Sequence, residues 1–183
     1  MRPSRTARIF PSACRLGLLA LATLVFTGCS QNDPSVVRNF ELDRFQGHWF
    51  EIARIARDYD SLCSDTTADY RQTGPSELDM QYRCALPGGT TQEFHATARA
   101  DDPSVPAKLT MQLGADAGGY WVLDVDQGYD YVLVGQPSRT MLWILSRAST
   151  LAPAIYQHAL SVATQQGFDT SQLSKTPQSA TSP

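Results

Sequence analysis

The sequence predicts an all-β protein, an eight-stranded antiparallel up-and-down barrel with one exterior α-helix after the last strand. Three observations lead there. From Gly47 to Arg147 the chain is a series of short segments rich in aromatic and β-branched residues, each bounded by Gly, Pro, Asp or Ser. The links are short enough for hairpins, and strands in such a series close most simply on themselves. A single segment of helical period then follows at 153–166.

The chain opens on a leader. Arg2, Arg5, Arg8 and Arg15 precede the uncharged apolar run LGLLALATLVF at 16–26. That run is too short to span a bilayer, which takes about 20 residues. It ends in Phe26-Thr27-Gly28-Cys29, which resembles the lipobox of bacterial lipoprotein signal peptides, with Phe26 where Leu is usual. The resemblance implies cleavage after residue 28 and a lipidated Cys29; the alternative is an ordinary secreted protein with Cys29 a bystander. Ser30 stands where an inner-membrane retention signal would show Asp. By the same resemblance, that favours lipid anchoring at the outer membrane, on its periplasmic face.

The segment at 29–38 is polar, contains Pro34, and reads as a tether. Residues 39–177 form the domain. The first strand runs from Gly47 to Arg57. Thr66–Gln72 and Leu78–Cys84 flank the hairpin turn Gly74-Pro75-Ser76. Thr90–Ala100 alternates, with Phe94, Ala96 and Ala98 on one face. Lys108–Leu113, Tyr120–Asp124, Tyr129–Gly135 and Thr140–Arg147 complete the set. The helix starts at Pro153, suited to a first turn, and stops before Gly167; Ile155, Ala159 and Val162 share its apolar face. The tail from Thr176, with 178–183 beyond the domain, reads as disordered.

Removing the leader leaves 155 residues with 11 Lys and Arg against 18 Asp and Glu. Such a surface suits neither nucleic acid nor electrostatic adhesion to anionic lipid. His48, His95 and His158 lie far apart, so no metal site is expected, and no cofactor motif is present. Cys63 and Cys84, the only other cysteines after Cys29, are most simply a disulfide in an exported protein; a reactive thiol is the alternative. A bond would close a loop of about 22 residues, worth up to about 3 kcal/mol. Hairpin register sets them a few residues out of step, so it requires a bulge or an extended loop.

Three segments carry a family resemblance. Phe45-Gln46-Gly47-His48-Trp49-Phe50-Glu51-Ile52-Ala53-Arg54 resembles the first lipocalin signature, with its Gly-x-Trp. Asp124 to Val134 (DVDQGYDYVLV) resembles the second, and Leu142-Trp143-Ile144-Leu145-Ser146-Arg147 the third. They occur in order, and the resemblance, nearest to bacterial outer-membrane lipoprotein lipocalins and apolipoprotein D, covers about 38–177. It implies structural roles for Gly47, Trp49 and Arg147: Trp49 plugs the closed end, Arg147 lies across its indole, and Gly47 permits a tight crossing.

The same resemblance, with strand period two, gives an expected ligand lining. If Arg147 points inward, so do Met141, Trp143 and Leu145. If Asp130 faces water, Tyr129, Tyr131 and Leu133 turn inward. The parity of Trp49 selects Glu51, Ala53 and Ile55. These residues make an apolar and aromatic interior, the character of a lipid pocket. Glu51 is the uncomfortable member, because a buried carboxylate is costly unless paired. The leading expectation is a non-enzymatic carrier or store of a fatty acid or lysophospholipid. A lipocalin-fold enzyme and a filled-barrel structural or interaction lipoprotein are the alternatives, and no nucleophile and base are assembled in the sequence. Oligomeric state, a homodimer included, is left open.

Overall fold

The computed structural model describes residues 32–55 and 62–179. The leader, Cys29, positions 56 and 57 of the expected first strand and the end of the tail, 180–183, lie outside them.

A short helix, α1 (Leu42–Phe45), leads into β1 (Gly47–Ile55). There follow β2 (Ser64–Gly74), β3 (Glu77–Ala85), β4 (Thr91–Ala100), β5 (Lys108–Leu113), β6 (Asp116–Val125), β7 (Tyr131–Gly135) and β8 (Leu142–Ser146). Helix α2 (Pro153–Gln165), a 3-10 turn at Thr170–Gln172 and the two-residue β9 (Ser174–Lys175) finish the chain. Each of β2 to β7 pairs antiparallel with the next. β1 pairs with β8 on one side and β2 on the other, so the eight strands close into a barrel. α1 and β9 are elements that the sequence left as coil.

The expected eight-stranded barrel with one exterior helix is therefore present, and its alternating strands separate two cores. The interior core holds Phe45, Trp49, Tyr70, Leu78, Met80, Leu109, Val122, Val132, Val134 and Leu145. The outer core lies beneath α2 and holds Leu123, Tyr131, Leu133, Leu142, Ile144, Ala159, Ala163 and Phe168. Every residue of β7 and β8 is buried because α2 covers the face that water would otherwise reach. Ala159 and Ala163 are the helix's buried residues, and their small side chains let its backbone approach the barrel. Ile155, expected on that face, is instead exposed.

The closed end is tied by one side chain. Arg147 donates from Nε to the Tyr129 carbonyl at 3.2 Å, from Nη1 to that of His48 at 2.8 Å, and from Nη2 to those of Arg44 and Gln46 at 3.0 and 2.7 Å. Its guanidinium carbon lies 3.7 Å from the centroid of the fully buried Trp49 ring, whose Nε1 donates to the Phe45 carbonyl at 2.8 Å. Gly47 has φ +94°, and a Cβ there would meet Arg147 Nη1 at 3.3 Å. The glycine serves both the left-handed turn and the approach of the guanidinium.

Two expected boundaries move. Residues 32–38 are not free tether: Pro34 is buried, Ser35 N–H donates to Gln166 Oε1 at 2.9 Å, and Val37 N–H to the Val122 carbonyl at 3.0 Å. The tail is also fixed through Ser179. Thr176 N–H donates to the Ile52 carbonyl, Asp65 N–H to that of Pro177, and Gln178 Nε2 to those of both Glu51 and Thr66. Direct β1–β2 pairing covers only Gly47–Phe50 against Thr67–Tyr70, and this tail fills the seam where the two strands part. Polar composition gave no sign of either docking, because both use backbone groups and amide side chains.

Replacing Arg147 by Lys keeps the charge but cannot reach four carbonyls and stack on the ring. The expected cost is about 2–4 kcal/mol, read as a lower urea midpoint; an unchanged midpoint would show that the carbonyls do not require this donor set.

Candidate functional site

The barrel interior is not filled. A cavity of about 150 Å³ opens at the end opposite Trp49, among the β3–β4, β5–β6 and β7–β8 turns. Its apolar wall is Tyr82, Phe94, Met111, Leu113, Met141 and Trp143; its polar part is Glu51, Arg54, Thr66, Arg83, Asp116 and Gln136. The Cys63–Cys84 disulfide stands at the mouth, with Cα atoms 5.4 Å apart. The required bulge is present: β2 slips register between Ser64 and Thr67, with Asp65 at φ +49°.

Strand parity fails in two places. On β1, Glu51 pairs with Leu145 but Ala53 pairs with Ile144, so one extra residue interrupts the alternation. Trp49 and Glu51 stay inside; Ala53 and Ile55, expected to line the cavity, lie in the outer core beneath α2. Arg54 takes the interior position instead. On the β7 side, Tyr129 has φ +58° in the turn before the strand, and alternation does not pass through such a residue. Tyr131 and Leu133, expected inward, pack outward under the helix, and Val132 and Val134 face the interior. Tyr129 belongs to the floor: its ring stacks on Phe40 at 5.9 Å and lies 4.2 Å from the Arg44 guanidinium carbon. β8 is regular, so Met141, Trp143 and Leu145 all face inward, with Leu145 below the cavity and the other two lining it.

Glu51 is paired. Its carboxylate accepts from Arg54 Nη1 and from the Thr176 hydroxyl, and both charged side chains are 7% exposed. Arg54 also donates to Thr176 Oγ1 at 3.1 Å and, from Nη2, to the Cys63 carbonyl at 3.2 Å. The pair thus joins the cavity wall to the seam and to the disulfide. Sequence reading missed Arg54 because the bulge that turns it inward has no marker: Ile52 and Ala53 are ordinary strand residues.

Below this pair sits a tyrosine group. The hydroxyls of Tyr70 and Tyr120 lie 2.7 Å apart in the buried interior, and that of Tyr82 donates to Met111 Sδ at 3.9 Å. Burial pushes the Tyr82 hydroxyl up to about 12; hydrogen bonding to Tyr120 and Tyr70 opposes this, and the Glu51 charge adds to it. Burial likewise holds Tyr70 and Tyr120 well above the ordinary phenol value. Neutral phenols beside a compensated ion pair make a site suited to holding an amphiphile. Among the described residues no group of His, Cys, Asp and Glu is placed to hold a metal.

The sequence matches the Lipocalin-like domain family over residues 40–178. It is 34% identical to the outer membrane lipoprotein Blc of Escherichia coli strain K12, over 86% of this chain and 94% of that protein. It is 32% identical to temperature-induced lipocalin-1 of Arabidopsis thaliana, over 84% and 87% of the two chains. Among solved structures, insecticyanin from the tobacco hornworm Manduca sexta superposes with a TM-score of 0.64 at 20% identity, over 81% of this chain and 86% of that one.

Two outcomes follow from the cavity's polar side. Arg54→Met removes the guanidinium that pairs with buried Glu51 and is expected to cost about 3–5 kcal/mol, whereas the double change Glu51→Leu with Arg54→Met recovers most of it; a double-mutant cycle by urea denaturation reads the difference. The tyrosines set an alkaline limit. An unfolded tyrosine gives up its proton near pH 10, while folded Tyr82 keeps its proton to about 12. Stability is therefore full below pH 10 and falls as pH rises toward 12, by up to about 1.4 kcal/mol per pH unit for each such group. Urea midpoints at successive pH values should show this fall, and Tyr82→Phe should reduce its slope.

Proposed function

Because this chain belongs to the lipocalin family, we propose that it binds and carries or stores a fatty acid or lysophospholipid in its barrel, without catalysis, while anchored at the outer membrane through an acylated Cys29. The observation that carries the reading is the cavity itself: open at one end, walled by Trp143, Met141, Met111, Phe94 and Tyr82, and closed below by the Trp49 floor. An acyl chain entering it would gain about 25 cal/mol for each Å² of apolar surface removed from water. Trp143 and Met141 would contact that chain, with Glu51 held in its ion pair at the polar side. Leu145 and Tyr129 would close the floor beneath it.

Anchoring rests on the lipobox-like Phe26-Thr27-Gly28-Cys29, and the outer-membrane location draws support from the name of the 34% identical Escherichia coli protein. The net negative charge of the domain leaves the acyl chains as the means of attachment, each buried methylene contributing about 0.8 kcal/mol.

Titration of the domain with an 18-carbon fatty acid and its lysophospholipid tests the binding reading by tryptophan emission. Trp121 lies outside the barrel, its ring 4.1 Å from Lys108 Nζ, and serves as control. The expected result is a saturable change that Trp143→Phe abolishes and Trp121→Phe preserves. No response to either lipid would remove this ligand class.

A further inference from the structure

Resting on the lipid-anchor reading above, we infer that the barrel stands mouth-down on the bilayer: its open end, rather than its closed end, meets the lipid surface. The Asn32 carbonyl accepts from Arg139 Nη2 at 2.6 Å, and Arg139 Nε donates to the Gln166 carbonyl at 2.6 Å. Arg139 belongs to the β7–β8 turn, which is bracketed by Gln136 and Met141, and both of these line the cavity mouth. From there the segment descends: Ser35 meets Gln166 near the end of α2, Val37 meets Val122 in mid-strand, and Phe40 stacks on Phe45 and Tyr129 at the closed end. The chain therefore reaches the barrel at its mouth and runs toward its floor.

Three peptide units separate Cys29 from Asn32, a reach of at most about 11 Å. The barrel is longer than that: the ten residues of β6 alone span roughly 30 Å. An acyl group on Cys29 thus holds the mouth close to the headgroups and cannot let the closed end take its place without pulling residues 32–38 from their hydrogen bonds.

The surface chemistry agrees. Near the mouth, Leu62 beside Cys63 is 61% exposed, the most exposed large apolar side chain among the described residues. The turns at 86–90 and 113–115 carry no charge; Arg83 and Asp116 border the cavity, Arg139 lies in the β7–β8 turn, and the sequence between β1 and β2 carries Arg57, Asp58 and Asp60. The closed end presents Glu41, Asp43, Asp101, Asp102, Asp126 and Asp130 against Arg44, Lys108 and Arg147, an acidic excess that anionic headgroups repel. A lipid leaving the bilayer then meets the cavity directly and crosses little water.

The test uses the lipidated full chain in vesicles of phosphatidylethanolamine and phosphatidylglycerol carrying a headgroup spin label. One added cysteine, Ala115→Cys at the mouth or Gln127→Cys at the closed end, carries the fluorophore. The mass of the amino-terminal peptide establishes acylation in the same sample. The expected result is acylated protein whose Ala115 probe is quenched at least about twofold more than its Gln127 probe, given the roughly 30 Å between the two ends. Equal or reversed quenching in acylated protein would overturn the orientation and leave the anchor standing. A Cys29 found unacylated would overturn the anchor and the orientation together.

Discussion

Arg147 joins four backbone carbonyls from two separate stretches of chain, and the floor beneath the cavity is organised around it. The run from α1 into β1 offers the carbonyls of Arg44, Gln46 and His48, and the turn before β7 offers that of Tyr129. A single planar cation satisfies them and stacks on Trp49 as it does so. The guanidinium is suited to this because it presents five donors in a fixed fork and a flat face to the indole. With the floor fixed, the strands above it need not fill the interior to hold the barrel's shape, and a cavity can remain.

The second organising feature is α2. It turns β7 and β8 into strands buried on both faces, and so divides their apolar residues between two cores. The bulge in β1 belongs to the same division. It sends Ala53 and Ile55 to the helix side and brings Arg54 to the cavity, where Glu51 meets it. One inserted residue thus changes what would have been an apolar wall into a polar one. The amphiphilic character of the cavity is a consequence of strand geometry as much as of composition.

The barrel was readable in the sequence because its signals are redundant. Eight strands, their turns and the helix each carry local patterns, and three segments resemble one family in order. The cavity was readable only where a strand keeps its period. β8 is regular, and the inward facing of Met141, Trp143 and Leu145 follows from Arg147 by counting in twos. β1 and the approach to β7 are irregular at Ile52–Ala53 and at Tyr129, and every position counted past those points falls on the wrong face. A bulge built from Ile and Ala, or a left-handed tyrosine, breaks alternation without leaving a Gly or Pro to mark it. The docked segments at 32–38 and 176–179 were hidden for a different reason: their contacts satisfy seam and surface backbone groups, and composition says nothing about where those groups are exposed.

The seam between β1 and β2 also bears on how the molecule assembles. β1 is made early, but its partners along most of its length are β8 and the segment around Thr176, the latter 125 residues downstream of Glu51. Until those arrive, the Glu51–Arg54 pair sits on a strand with one short hairpin-side neighbour and lacks the Thr176 hydroxyl that later joins it. Contacts of such long sequence separation pay their loop-closure entropy before any reward, which makes closure the slow event. A chain folding in this order passes through a stage with an unpaired strand edge, the form most open to pairing with another molecule. The Cys63–Cys84 bond joins residues only 21 apart and can form within the β2–β3 hairpin ahead of that closure. It would hold one side of the sheet in register while the other side waits.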